Sequence, residues 1–382
     1  MPCNALKRFF PVYWNVMPKE NAYMEKIHAG LDGKADAVLV FAESESVSDK
    51  TFYYATQCLS GAFEGSAAVF GEGVEPAIVT SPLEEQAALQ SGLPVKVFGR
   101  GSTFWEELKA ALKGAKTIAV NKSGVSARLM EKLNSTFPKA KFVDAWPAIS
   151  RARSVKTAEE IEKLAAAAEI ASKAALELAS LDYSTQSEAA CAAELNYFMG
   201  RHGASSPSFP TIAAFGENSA LPHHVPSSAS RAKKGSFLLF DFGALFQRYC
   251  SDVTRTLVLG RASPKQVEIY ETVARTQQAA FDEIRPGAKA SSVHNAAQKV
   301  IDSSKFKGLL THSVGHGLGV EVHDCFGVAP SSGFELEKGM VFTVEPGIYV
   351  PGFGGVRVED DVLVTRNGFK RLSRPPGELI EV

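Results

Sequence analysis

Over residues 1–150, short apolar runs alternate with stretches of helical periodicity. The runs ADAVLVFA (36–43), AAVFG (67–71), PAIVTS (76–81), PVKVFG (94–99), KTIAVN (116–121) and AKFVDAW (140–146) read as strands, rich in β-branched and aromatic residues. Between them, Ser81-Pro82-Leu83-Glu84 and Thr103-Phe104-Trp105-Glu106 have the form of capping boxes that open helices. Such alternation predicts a layered α/β domain. The turn FGEGVEP (70–76) lacks the spacing of a phosphate-binding glycine loop.

Near residue 150 the pattern changes. ISRARSVKTAEEIEKLAAAAEIASKAALELASL (149–181) contains a third capping box, Thr157 to Glu160, which opens an Ala-rich helix running to about residue 181. Its Glu, Lys and Ser residues give it a solvent-facing side. Thr185 to Glu188 opens a second helix that ends near Gly203. Ser263-Pro264-Lys265-Gln266 opens a third, which stops before Pro286-Gly287, and a fourth covers 291–303. The strands here form hairpins, 237–243 with 252–259 and 340–350 with 356–365. Helices and antiparallel strands are segregated, so an α+β domain over 154–382 is expected after an α/β domain over 1–153.

Both hairpins carry acids in otherwise apolar strands. Asp241 follows Leu-Leu-Phe, and Asp252 opens Val253-Thr254-Arg255-Thr256-Leu257-Val258. A turn centred near Phe246-Gln247 sets Asp241 opposite Asp252 on one face, with Cβ atoms about 5 Å apart. Glu345 and Glu359 are likewise symmetric about Gly352. Burying paired carboxylates costs several kcal/mol unless something positive lies between them. THSVGHGLGVEVHD (311–324) supplies His312, His316 and His323 in a Gly-rich, apolar frame. Four carboxylates and an imidazole make a hard-donor set for two divalent cations, and a cation pair about 3.5–4 Å apart can acidify a shared water. The alternative is a structural network with Arg255, Arg357 or Lys338. Asp360 and Asp361 are expected to face solvent or cap the strand, because both cannot share the face of Glu359. His28, His202 and His294 have no partner motif and read as ordinary surface or core histidines.

Composition narrows the partners. The chain has 382 residues and 45% hydrophobic content, which suits two domains. Its 41 basic and 42 acidic residues leave a net charge of −1 and form no long single-sign block, so nucleic acid and anionic membranes are not expected partners. Cys3, Cys58, Cys191, Cys250 and Cys325 are scattered and never spaced C-x-x-C, which predicts reduced thiols in the cytoplasm. The opening MPCNALKRFFPVYWNVMPKE lacks the apolar run of a signal peptide, and no run of about 18 apolar residues exists to span a bilayer.

DFGALFQRYCSDVTRT (241–256), HSVGHGLGVEVHD (312–324), VEPGIY (344–349) and VRVEDDVLVT (356–365) resemble, in order and spacing, the dinuclear metallopeptidases of the pita-bread fold. That family includes methionine aminopeptidase, aminopeptidase P and prolidase. The resemblance implies a catalytic domain built on a curved antiparallel sheet. It implies Asp241 on one metal, Asp252 and Glu359 as bridges, and His316 and Glu345 on the second metal. Mn²⁺ or Co²⁺ is expected, and Zn²⁺ or Fe²⁺ also suits the donors. ALPHHVPSS (220–228) resembles the segment whose histidine lines the substrate cleft, which assigns that role to His223 and leaves His224 a bystander. His312 would line the cleft, His323 would hydrogen-bond the tetrahedral intermediate, and Arg357 would steady the site. Glu345 would take the proton of the attacking water and pass it to the leaving proline nitrogen.

The first 150 residues look like the amino-terminal domain of the creatinase, prolidase and aminopeptidase P branch, which short methionine aminopeptidases lack. In these relatives that domain restricts substrates and helps form dimers, so a homodimer is expected. The implied activity is hydrolysis of an Xaa-Pro bond, by a Xaa-Pro dipeptidase or by a Xaa-Pro aminopeptidase acting on longer peptides. Creatinase, which works without metals, and a binding module that has lost catalysis are the other readings. Five intact ligands argue against both. One departure concerns substrate length: many microbial prolidases carry an arginine four residues after the histidine matching His323, and here that position is Gly327.

Overall fold

The computed structural model describes residues 21–44 and 49–382; Cys3 and the opening segment lie outside the described residues. The chain divides into two compact units, Met1–Ile149 and Ser150–Val382, and the division falls inside the helix Trp146–Ser154. Among the described residues no helix is long and apolar enough to cross a membrane.

The first unit is built on six strands, Ala37–Ala42 (β1), Ser66–Phe70 (β2), Ala77–Thr80 (β3), Val95–Val97 (β4), Thr117–Val120 (β5) and Lys141–Asp144 (β6). They lie in the order β4-β3-β2-β1-β5-β6, with β1-β2 and β2-β3 antiparallel and the other pairs parallel. β1 is buried along its whole length, which explains its unbroken apolar sequence. The Thr103 capping box forms, with Thr103 N–H donating to Glu106 at 2.7 Å. The one expected at Ser81 does not. The helix there starts later, at Glu85–Leu89, and Glu84 instead accepts from the Ala62 N–H at 3.3 Å. A donor distant in sequence has taken the carboxylate that local spacing had assigned to the helix end.

In the second unit the helices Ala158–Glu177, Glu188–Arg201, Pro264–Asp282 and Ala290–Asp302 flank antiparallel strands. One sheet joins Ile212–Phe215, Phe237–Phe242 and Val253–Val258. Another joins Val341–Val344, Asp360–Thr365 and Gly368–Arg371, and Gly347–Val350 pairs with Gly354–Arg357. Two apolar clusters hold these layers, one around Val273, Phe342 and Ile348 and one around Ala171, Leu195 and Phe240. The boxes at Thr157 and Ser263 form as spaced. Thr185 is not a helix cap: it donates to Asp182 at 2.7 Å, the cap is Ser187, and Glu188 is turned fully inward.

The hairpin registers set the acids. The first turn is Gln247-Arg248, both at positive φ (48° and 71°), with Phe246 facing Tyr249. This two-residue turn, of the kind whose twist matches the strands, moves the centre one residue along the chain from the expected position. Asp241 therefore faces Thr254, and Asp252 is its diagonal neighbour on the same face rather than its direct opposite. In the second hairpin Val344 faces Asp360 and Gly347 faces Arg357, so continuing the register puts Glu345 opposite Glu359, as the symmetry about Gly352 predicts.

Gly243 sits where the first hairpin's strands close on each other: a Cβ there would lie 1.8 Å from the Ser251 carbonyl oxygen. Gly243→Ala is expected to part the strands beside both aspartates and to cost about 2–3 kcal/mol, the upper range for an overpacked site. Urea unfolding measures this, and a wild-type midpoint would show that the strands tolerate the methyl group.

Candidate metal centre and active site

Four strand ends and one glycine-rich segment converge on a cleft of about 340 Å³ lined by Asp241, Asp252, His316, Glu345 and Glu359. Glu345 and Glu359 lie in the breaks between paired strands, where side chains can turn into the cleft without breaking a ladder. The histidine segment runs beside the strand Val341–Val344. The Thr343 N–H donates to the His316 carbonyl at 2.9 Å, and the Glu345 N–H donates to the Val314 carbonyl at 2.9 Å. Two glycines of GHGLG answer to close approaches, Gly315 to this strand and Gly317 to Asp324 of the same segment. A Cβ at Gly315 would lie 1.9 Å from the Thr343 carbonyl oxygen, and one at Gly317 would lie 2.0 Å from that of Asp324.

The electrostatics are those of a cation site. His316 Nδ1 is 3.2 Å from the Gly317 carbonyl, which can only accept, so Nδ1 carries the proton and the Nε2 lone pair is free. Nε2 lies 3.5 Å from both Asp252 and Glu345. Burial, and then the neighbouring His323, pull His316 down to about 3, so the imidazole is neutral. Burial pushes Glu345 up to about 8 against the pull of Arg357. Burial, and then the other acids, push Asp252 and Glu359 well above the usual carboxylate range. Asp241 Oδ1 and Asp252 Oδ1 are buried with no hydrogen-bond partner. Donor atoms of Asp252, His316 and Glu359 all lie within 4.8 Å of one another. Carboxylates that cannot ionise together, orphaned oxygens and a neutral imidazole with its lone pair inward fit divalent cations well.

A polar frame holds these groups. Arg357 donates to Asp241 at 2.5 Å, to the Tyr349 hydroxyl at 2.7 Å and to Thr254 at 3.0 Å. Thr254 in turn donates to Glu359 at 2.6 Å. His312 Nδ1 donates to the Ser313 carbonyl at 2.7 Å, so the Tyr349 hydroxyl donates to His312 Nε2 at 2.8 Å. Burial, and then Arg357, lower His312 to about 4, and burial raises Tyr349 to about 12, so both are neutral at ordinary pH. His323 stands edge-on to His316, their ring centres 4.1 Å apart. Gly327 also lines the cleft, and a Cβ there would meet nothing within 4 Å.

Other residues depart from expectation or were missed. Asp360 and Asp361 are buried, not solvent-facing, because their strand is the middle one of its sheet. Asp360 accepts from Arg255 at 2.8 Å and Ser373 at 2.9 Å, and Asp361 accepts from the Asp252 N–H at 3.2 Å. The structural network that competed with the cation reading thus exists in part: Arg357 pairs with Asp241, and Arg255 with an acid outside the site. Thr254 and Tyr349 were not singled out from the sequence. The available signal was their even spacing from Asp252 and Glu345, which places them on the same strand faces. His223 lines the cleft, while His224 is bonded to Glu188 at 2.8 Å. His202 pairs with Glu177 at 2.5 Å, and buried His294 accepts from the Val314 N–H at 3.3 Å behind the histidine segment.

Asp252→Asn is expected to lower the metal bound per chain and to abolish turnover, because an amide lacks the charge and the second anionic oxygen of a carboxylate. Elemental analysis beside an activity assay checks this. Unchanged metal content with normal turnover would remove Asp252 from the ligand set.

Comparison with known proteins agrees with the geometry. Residues 162–366 match Metallopeptidase family M24, and residues 27–155 match the Creatinase/Prolidase N-terminal domain. The chain is 37% identical to the Xaa-Pro dipeptidase of Pyrococcus furiosus over 319 residues, covering 83% of this chain and 89% of the relative. The structure of the Xaa-Pro dipeptidase from Bacillus anthracis superposes with a TM-score of 0.86 at 31% identity, covering 96% of this chain and all of that one (100%). The X-Pro aminopeptidase from Thermotoga maritima superposes with a TM-score of 0.84 at 30% identity, covering 91% of this chain and 98% of that one. A metal-ready cluster on a pita-bread scaffold and matches spanning both units lead to one assignment: this chain belongs to metallopeptidase family M24 and is a metal-dependent peptidase.

Proposed function

We propose that this chain hydrolyses Xaa-Pro peptide bonds as a Xaa-Pro dipeptidase, using two divalent cations held by Asp241, Asp252, His316, Glu345 and Glu359. The observation that carries this reading is the convergence of those five donors with His223, His312, His323 and Arg357 in one cleft. The Xaa-Pro dipeptidases among its relatives supply the substrate class. Asp241 would serve one ion, His316 and Glu345 the other, and Asp252 and Glu359 would be shared between them, with Mn²⁺ or Co²⁺ the favoured metals. When bound, the cations supply an acidified water and a Lewis acid for the scissile carbonyl.

The chain's own groups do the rest. Glu345, ionised once cations offset the neighbouring acids, would accept the proton of the attacking water and return it to the proline nitrogen. His323 donates to the developing oxyanion. His223 and His312 line the substrate's path, and Arg357 keeps Asp241 and Tyr349 fixed. Phe209, Ile212, Pro222 and Val322 give the cleft apolar walls for the proline ring and its neighbour. The amino-terminal domain, residues 1–153, limits substrate length, and the protein works as a cytoplasmic homodimer; the family resemblance, balanced charge and scattered thiols support this.

A second reading, a Xaa-Pro aminopeptidase acting on longer peptides, is favoured by one observation. A dipeptide brings a free carboxylate into the cleft, yet the one arginine among the described residues lining it is already committed to Asp241, Tyr349 and Thr254, and position 327 is open. Discrimination between Ala-Pro and Ala-Pro-Ala is therefore expected to be weak, about 10-fold or less in kcat/KM. Gly327→Arg should add a charged clamp of about 1.5–3 kcal/mol and shift the preference toward Ala-Pro roughly 10- to 100-fold. Wild-type rejection of the tripeptide by about 10³-fold, some 4 kcal/mol, would show that the carboxylate is held elsewhere. No hydrolysis of either substrate by metal-loaded protein would end the Xaa-Pro reading.

A further inference from the structure

Glu188 is wholly buried in the first turn of the helix Glu188–Arg201 and lies outside the cleft lining. Its Oε1 accepts from the Phe215 N–H and the Asn218 amide, each at 2.8 Å. Its Oε2 accepts from His224 Nε2 at 2.8 Å and from the Ser227 N–H at 3.0 Å. Burial alone would raise this carboxyl, but its four donors hold it below the ordinary value, so it accepts as an anion. All four donors belong to the segment 215–227, which carries His223 into the cleft. The far side of the same segment is tied to the catalytic hairpin: the Gly355 N–H donates to Ser219 at 2.8 Å, and Arg357 donates to the Pro222 carbonyl at 3.5 Å. The His224 N–H closes a turn onto the Leu221 carbonyl at 3.2 Å. Adjacent histidines thus point to different tasks, His223 to the cleft and His224 to the buried carboxylate.

We propose that Glu188 and His224 are positioning residues that clamp the 215–227 segment and so hold His223 at the substrate. The inference rests on the reading of His223 as a cleft-lining group given above. The chemistry needs such a clamp: the stretch after Ala220, with prolines at 222 and 226 and outside the named helices and strands, would otherwise sample many positions, and a misplacement of about 1 Å can cost up to about 100-fold in rate. His224 carries the test better than Glu188, because removing the carboxylate strands four donors and can unfold the helix start.

The experiment measures kcat/KM on Ala-Pro with Mn²⁺-loaded full chain, together with bound metal per chain, for His223→Ala, His224→Ala, His224→Gln and the double variant His223→Ala/His224→Ala. His223→Ala and His224→Ala should each lose about 10-fold or more with metal content unchanged. His224→Gln keeps a donor aimed at Glu188 and should recover to within about 3-fold of wild type, since the glutamine amide can make the same charge-assisted bond. In the His223→Ala background, His224→Ala should change the rate by less than about 2-fold, because the two act as a unit. Losses that multiply in full, or a wild-type rate for His224→Ala, would overturn the clamp. A wild-type rate for His223→Ala alone would instead overturn the reading of His223 on which the clamp depends.

Discussion

The architecture of the carboxy-terminal unit depends on the mutual repulsion of four carboxylates that it takes out of water. Asp241, Asp252, Glu345 and Glu359 share one cleft, and without cations burial drives three of them toward the protonated form. At an effective dielectric constant of about 20, two unit charges about 4 Å apart repel by about 4 kcal/mol. A fold carrying several such contacts needs a positive counterpart there, and Arg357 supplies only one charge. Divalent cations answer the excess, which is how a metallopeptidase site and a stable fold become the same requirement.

The surroundings follow from holding that charge in place. Two hairpins present the acids from strand ends, so the ladders around them stay intact. Gly315 lets the histidine segment lie against the strand Val341–Val344, and Gly317 lets the segment fold back on its own Asp324; a Cβ at either would collide with a carbonyl oxygen. Thr254 and Tyr349 join Arg357 to Glu359 and to His312, fixing the orientation of groups that would otherwise rotate. Behind them, Arg255 with Asp360 and His294 with the Val314 N–H secure the backbone from which the cleft's acids and histidines project.

What the sequence displayed, and what it concealed, has a physical pattern. Glu345 and Glu359 were legible as a facing pair because a Gly-rich turn marks their centre. Asp241 and Asp252 were legible as neighbours on one face, but their register was not, because Gln247 and Arg248 adopt positive φ without the Asn or Gly that usually announces it. Asp360 and Asp361 looked like surface acids because nothing in the local pattern says that their strand is the middle of a sheet. The capping spacings at Thr103, Thr157 and Ser263 held, each box closing with both of its local hydrogen bonds. Those at Ser81 and Thr185 failed because Glu84 and Glu188 found donors far away in the chain. Neutral polar residues such as Thr254 and Tyr349 are the hardest to find, since on a strand they read as ordinary fillers.

The most direct test is titration of the metal-stripped protein with Mn²⁺, following heat of binding, melting temperature and Ala-Pro hydrolysis in the same preparation. Saturable uptake of two ions per chain is expected, with a melting temperature that rises with free metal as binding to the native state requires, and with hydrolysis that appears only as the sites fill. Full hydrolysis in the stripped protein, or filling of the sites with no gain in activity or stability, would contradict the idea that cations are what these buried carboxylates were assembled to hold.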